Sequence, residues 1–284
     1  MKILIADSGS TKTDWCVAED GRILRQIKAE GTNPVFQSEE EMTKAMKAVA
    51  RQLEDVRPEA IYFYGAGCIS TLTERVRHAL RGAFPDADNA EVGSDMLGAA
   101  RSLCGHGAGI ACILGTGSNS CFYDGERIVE NVSPLGFILG DEGSGAVLGK
   151  LLVGSLLKNQ LTQGLKEAFL WQYALTPADI IDRVYCQPFP NRFLASLSPF
   201  LAAHLEDESI HRLVLDAFRD FLRRNVMQYD WQAHDVHCCG SIAYHYQKIL
   251  AEAASSLGVR IGQIVQSPME GLVHFHREST YLLK

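Results

Sequence analysis

One pattern occurs twice in this chain, and it constrains the fold more than any other feature. Residues 2–28 read as an apolar strand (KILIAD), a Gly/Ser/Thr loop, a second strand (TDWCVAE), an Asp20-Gly21 hairpin turn and a third strand (RILRQIK). From Gly109 the same order returns: GIACIL, a second Gly/Ser/Thr loop, a short strand, Asp124-Gly125 and another strand. Ser8-Gly9-Ser10 aligns with Thr116-Gly117-Ser118 at an offset of 108, and the Asp-Gly turns align at an offset of 104, so the second hairpin is the shorter. A repeated supersecondary unit defines architecture, and this one puts a domain boundary near residues 106–109.

Strands alternate with helices through the rest of the chain, which predicts an α/β fold. Ser38 and Glu41 form a capping box ahead of a helix with apolar residues at Met42, Ala45, Met46, Val49 and Leu53. AIYFYGAG and AEVGSD read as strands, and helices are expected from Thr71 to about Phe84 and over MLGAARSLC. Beyond the second hairpin, helices are expected from Gly143 to about Leu157, from Asn191 to His204, from Ile210 to Tyr229 and over SIAYHYQKILAEAASSL. DVHCCG and RIGQIV complete the strands, and MEGLVHFH reads as one short helix.

Composition narrows the class. The 284 residues suit two domains, and 46% apolar against 21% charged residues excludes a disordered or low-complexity chain. A net charge of −7 argues against non-specific nucleic-acid binding, which favours basic surfaces. None of the 8 cysteines sits in a CxxC pair, and several lie in apolar strand-like runs, where a free thiol behaves as a small hydrophobe. His274-x-His276 and Cys238-Cys239 have poor metal-site spacing. The opening MKILIADSGS does not read as a signal peptide, and no apolar run approaches 18 residues. The expectation is a reduced, cytoplasmic protein without a membrane span.

Five segments can carry chemistry. Asp7 ends the first strand and Ser8-Gly9-Ser10-Thr11-Lys12-Thr13 follows it, a turn able to aim N–H groups and hydroxyls at phosphate. A carboxylate in Asp7's place suits Mg²⁺, which takes one or two carboxylates plus phosphate oxygens; the alternative is a Gly/Ser turn with a capping Asp. Gly115-Thr116-Gly117-Ser118-Asn119 repeats that loop, and two matching loops suit a nucleotide held between two similar halves. Asp95 lies between a strand and a helix, where it serves either as a base for a substrate hydroxyl or as an N-cap. GDEGSG, with Asp141, offers acids to sugar hydroxyls or to the first turn of a helix. Gly240-Ser241 follows a strand and allows close approach of a flat base.

Together DSGSTKTD, GTN, SDMLGAA, ILGTGSNS, GDEGSG and CCGSIA resemble the N-acetylglucosamine kinase branch of the actin-like sugar kinase superfamily, grouped with the BadF/BadG/BcrA/BcrD ATPases. The resemblance covers residues 1 to about 276. It implies two ribonuclease-H-like domains (actin-like ATPase fold), residues 1–107 and 108–284, each a five-stranded mixed sheet with helices around an interdomain nucleotide cleft. The last segment is expected to cross back to the first domain. The resemblance further implies ATP and Mg²⁺, with Ser8, Gly9, Ser10, Thr11, Lys12 and Thr13 as the first phosphate loop and Asp7 acting on the metal. Gly115, Thr116, Gly117 and Ser118 fall in the second loop, Gly240 and Ser241 in the adenosine motif. Asp95 matches the catalytic aspartate, and Asn33, Asn119 and Asp141 fall where sugar ligands sit. The expected reaction is phosphorylation of N-acetylglucosamine to its 6-phosphate. Glucosamine and N-acetylmuramic acid stay open, because SPLGFIL replaces the Gly- and Trp-containing run of animal-type members before GDEG. A nucleotide-driven switch acting on a partner enzyme is the rival from another class, and the family resemblance allows a homodimer.

Overall fold

The computed structural model describes residues 1–9, 11–85 and 89–282. It divides into two units, one of Met1–Gly107, Asp124–Ile128 and Ser267–Lys284, the other of Ala108–Tyr123 and Val129–Gln266. Among the described residues, ten strands form two five-stranded sheets, and no helix is long and apolar enough to cross a membrane.

The first unit is built on β1 (Lys2–Ser8), β2 (Lys12–Glu19), β3 (Arg22–Glu30), β4 (Ala60–Gly65) and β5 (Asn89–Ser94), in the order β3-β2-β1-β4-β5. β1 runs antiparallel to β2 and parallel to β4, and β4 parallel to β5. Its helices are α1 (Glu39–Arg51), α2 (Thr73–Ala83) and α3 (Asp95–Cys104). β1 is apolar on both faces because both are covered. Leu4 and Ala6 join Trp15, Phe63, Met42, Met46, Val76 and Leu80 in one core. Ile3 and Ile5 join Tyr64, Met269, Leu272 and Val273 in the other. The Asp20-Gly21 turn has positive φ at both residues (51° and 80°), the twist a two-residue hairpin requires.

The second sheet repeats this topology with β6 (Gly109–Leu114), β7 (Ser118–Tyr123), β8 (Ile128–Glu130), β9 (Val236–Cys239) and β10 (Ile261–Val265), in the order β10-β9-β6-β7-β8. The outer hairpin strands are shorter, as the offsets required. At the second Asp-Gly turn the Asp124 carboxylate accepts the N–H groups of Glu126 and Arg127, and Gly125 has φ 102°. The helices are α4 (Gly136–Leu139), α5 (Gly145–Leu157), α6 (Leu165–Gln172), α7 (Pro177–Tyr185), α8 (Pro190–Ala195), α9 (Ser198–Ala203), α10 (Glu208–Arg224), α11 (Ser241–His245) and α12 (Gln247–Leu257). Ile110, Cys112 and Leu114 of β6 pack with Leu148, Leu152, Phe218, Phe221, Ile249 and Leu250 in one core. The chain closes with α13 (Met269–Leu282), in the first unit.

Several helix limits differ from expectation. The Ser38–Glu41 box forms, but α2 starts at Thr73 without a side-chain cap, because Leu72 holds the cap position. The expected 191–204 helix is two, α9 opening with Pro199, which cannot sit inside a continuous helix. The 241–257 helix breaks at Tyr246, whose hydroxyl donates to the Ser198 carbonyl. The 210–229 helix ends at Arg224, and Val226–Gln228 forms a 3₁₀ turn. The short terminal helix is longer than expected and runs to Leu282.

Candidate active site

In the first unit the carboxyl ends of three parallel strands lie level. Ser8 pairs with Gly65 and Gly65 with Ser94, so one row crosses the sheet. Open α/β sheets bind ligands at this edge. Asp7 precedes the row on β1 and Asp95 follows it as the first residue of α3. Asp14 stands directly opposite Asp7 on β2. Like charges directly opposed across strands destabilise a sheet, and such arrangements persist where function needs them. Burial, then Asp95 and Asp14, push the Asp7 carboxyl up to about 7, against a smaller pull from Lys12. Lys12 is mainly engaged elsewhere, with its Nζ 2.9 Å from Asp14 Oδ2.

The structure weighs on the choice at Asp95. Ser94 caps α3, its hydroxyl accepting the Leu97 N–H at 3.1 Å. Asp95 is therefore not the cap. Its Oδ1 accepts the Met96 N–H at 2.9 Å, while burial raises its pKa and the backbone N–H bonds oppose the rise. A carboxylate with a raised pKa at a strand's carboxyl edge is suited to taking a proton.

The first loop divides its labour. Ser8 and Thr13 are fully buried and their hydroxyls bond one another at 2.7 Å. Ser8 Oγ also meets both the N–H and C=O of Thr32 at 3.0 Å, and Thr13 donates to Glu30 O. These side chains pin the 30–32 segment to the end of β1. Asn33 comes next and its Oδ1 accepts the Val35 N–H. Gly9, Thr11 and Lys12 are exposed, with the Gly9 N–H closing the turn onto Lys12 O at 2.9 Å. Ser10 lies outside the described residues.

In the second unit three motifs converge. The second loop, 115–118, follows β6, and Gly115 O accepts the Gly145 N–H at 2.8 Å while Thr116 O accepts the Ala146 N–H at 3.0 Å. The Asp141 carboxylate accepts the Ser118 N–H and lies so close to Gly117 that a Cβ there would fall 3.0 Å from Oδ2. Burial lifts Asp141 to about 6, with Glu142 adding to the rise. Gly240 has φ 116°, and a Cβ on it would fall 2.3 Å from Leu114 O, so only glycine lets the end of β9 approach β6 this closely. Ser241 follows it, exposed, at the start of α11. Asn119 is fixed by Asn131, whose amide donates to Asn119 Oδ1 at 3.0 Å.

Mg²⁺ relies on few protein carboxylates. Among the described residues no group of three or more His, Cys, Asp or Glu side chains forms a metal cage. The crowding around Asp7 is what a divalent cation would relieve, so these residues fit the ion. A surface cavity of about 590 Å³, lined by Leu175, Asp179, Asp182, Arg183 and Phe193, contains none of the site residues expected from the sequence.

The structure is similar to that of a putative N-acetylglucosamine kinase from Porphyromonas gingivalis, with 51% identity over 98% of this chain and 99% of that one and a TM-score of 0.94. This chain belongs to the family of that kinase-like protein. A putative N-acetylglucosamine kinase from Chromobacterium violaceum shares the fold at 19% identity and a TM-score of 0.76, over 96% of this chain and 98% of its own. A ROK hexokinase from Thermus thermophilus shares it at 17% identity and a TM-score of 0.51 over the full length of both. The fold is thus that of the actin-like sugar kinases. No family model and no curated protein matches the sequence. Within this kinase-like family member, sequence reasoning included Asp14 in DSGSTKTD without giving it a role and missed Asn131. The hairpin register was the signal for Asp14, since pairing β1 with β2 around a short loop puts Asp14 opposite Asp7.

Proposed function

We propose that the protein is an ATP-dependent sugar kinase acting on an amino sugar, N-acetylglucosamine, at its 6-hydroxyl. One observation carries the reading: Ser94 takes over the capping of α3, leaving the raised-pKa Asp95 carboxylate at the sheet edge beside Asp7. The choice of sugar rests on the similarity to the Porphyromonas protein.

In this reaction the sugar oxygen forms a bond to the γ-phosphorus, the bond from that phosphorus to the β–γ bridging oxygen breaks, and ADP leaves. Asp95 takes the hydroxyl proton as the oxygen attacks, which a positioned base accelerates by about 10²–10⁴-fold. The glycine-rich loop 115–118 and Gly240-Ser241 hold the nucleotide, and Asn33, Asn119 and Asp141 orient the sugar. When bound near Asp7, Mg²⁺ supplies neutralisation of phosphate charge; phosphoryl transfer needs mainly positioning and electrostatics. A cytoplasmic location suits an enzyme that consumes ATP.

The test is ADP release measured with a panel of glucose, glucosamine, N-acetylglucosamine, N-acetylmannosamine and N-acetylmuramic acid. N-acetylglucosamine is expected to give the highest kcat/KM. ADP release unaffected by every sugar would instead make the protein an ATPase of the switch class.

A further inference from the structure

We infer that Tyr64, Arg101 and His276 are positioning residues for Asp95, clamping α3 between the sheet and α13 so that its first residue is held in place. The inference rests on the reading of Asp95 as the base.

Two close approaches define the grip on α3. Gly98 lies one turn from Asp95, and a Cβ there would fall 2.8 Å from Tyr64 Cβ and Cγ, so the helix backbone rests directly on the tyrosine. On the α13 side, a Cβ on Gly271 would fall 2.3 Å from Ser102 O and Oγ. Glycine at both points brings three elements nearer than side chains would allow.

A directed polar relay locks that packing. Arg101 Nη1 donates to the Tyr64 hydroxyl at 2.7 Å and to the Glu91 carboxylate on β5. Guanidinium only donates, so the Tyr64 oxygen accepts there and its own proton goes to His276 Nε2, at 2.9 Å. His276 must then be neutral, with its proton on Nδ1. Burial and the Arg101 charge push its pKa down to about 3, which keeps it so. Its ring stacks on Tyr62 at 3.5 Å between centroids, and the Arg101 guanidinium sits 5.0 Å from the Phe275 ring centre. The relay joins α3, β4 and α13 across 212 residues of sequence. Arg101 and Asp95 share one rigid helix, six residues or about 9 Å apart along its axis. A shift at one is delivered to the other, and about 1 Å of misplacement can cost about 10²-fold in rate.

The test is a double-mutant cycle on purified full-length protein, read as kcat and both KM values well below the melting temperature. Tyr64→Phe keeps the ring and removes both hydrogen bonds. It should lower kcat by about 10–100-fold with both KM values within about twofold of wild type. In the Asp95→Asn background it should lower the residual rate no further, since there is no base left to position. Arg101→Met should repeat this pattern, and serves if Tyr64→Phe does not fold. An unchanged kcat, a rise in KM alone, or an equal loss in both backgrounds would overturn the clamp. The single Asp95→Asn variant separates the two levels: wild-type turnover there would sink the assignment of Asp95, and this inference with it, however Tyr64→Phe behaves.

Discussion

Asp7→Asn should make the protein more stable and inactive at once. The substitution keeps the shape of the side chain and removes a charge the fold holds at a loss. The Asp7 pKa stands at about 7 against an ordinary 3.8. At about 1.4 kcal/mol per pH unit, that gap corresponds to roughly 4 kcal/mol. The sign follows from which state binds more protons. Below pH 3.8 the carboxyl is neutral in both states and nothing is lost. As pH rises to about 7 the unfolded chain has released this proton and the folded chain has not, so stability falls, and above 7 the penalty is constant. The amide still needs partners, so about half the difference should be recovered, on the order of 2 kcal/mol. For a protein of this size that is about 4–8 °C in melting temperature. Differential scanning calorimetry of both proteins at pH 8 and pH 5, without and with millimolar Mg²⁺, measures it. The gain should be largest at pH 8 without metal, shrink at pH 5, and shrink when Mg²⁺ stabilises the wild type alone. A variant that melts at or below wild type at pH 8, or a gain independent of pH, would refute the argument that Asp7 is a charge held for a cation.

Two further substitutions test the two units separately. Asp95→Asn should lower kcat by about 10²–10⁴-fold with an unchanged far-ultraviolet dichroism spectrum and unchanged sugar binding by calorimetry. Gly240→Ala should melt earlier and bind ATP more weakly, because its Cβ would meet Leu114 O at 2.3 Å in a backbone conformation L-residues rarely adopt; destabilisation of about 1–3 kcal/mol is expected in a thermal melt.

The parts of the fold that were legible in the sequence are those set by local pattern. The repeated strand–loop–strand–turn–strand order was visible because apolar runs and Asp-Gly pairs are local signals, and both sheets carry the strand order it implies. The break at Tyr246 was not legible, because the apolar spacing continues through it and a tertiary partner, Ser198 O, meets the chain there; the break ahead of Pro199 was written in the sequence, since proline cannot sit inside a continuous helix. Asp95 could be singled out from its place between strand and helix, but whether it or Ser94 served as the cap depended on backbone geometry. His276 attracted notice only as half of a weak metal pair. Its partner Tyr64 is 212 residues away, and nothing in a single sequence links two such positions.

The placement of α13 has a consequence for how the protein is made. The helix completes the first unit, yet the ribosome reaches it only after the roughly 160 residues of the second unit have been added. At about 5–20 residues per second, that leaves α3 without its partner for some 8–30 s of synthesis. Ile3, Ile5 and Tyr64 lack the cover of Met269, Leu272 and Val273 during that interval. The second unit can bury its core as it emerges, whereas the strand face that awaits α13 stays open to chaperones, to other nascent chains and to proteases. A ribosome stalled between Ser118 and Met269 would release a chain with both Gly/Ser/Thr loops and Asp95 present but no α13 to hold α3 against the sheet.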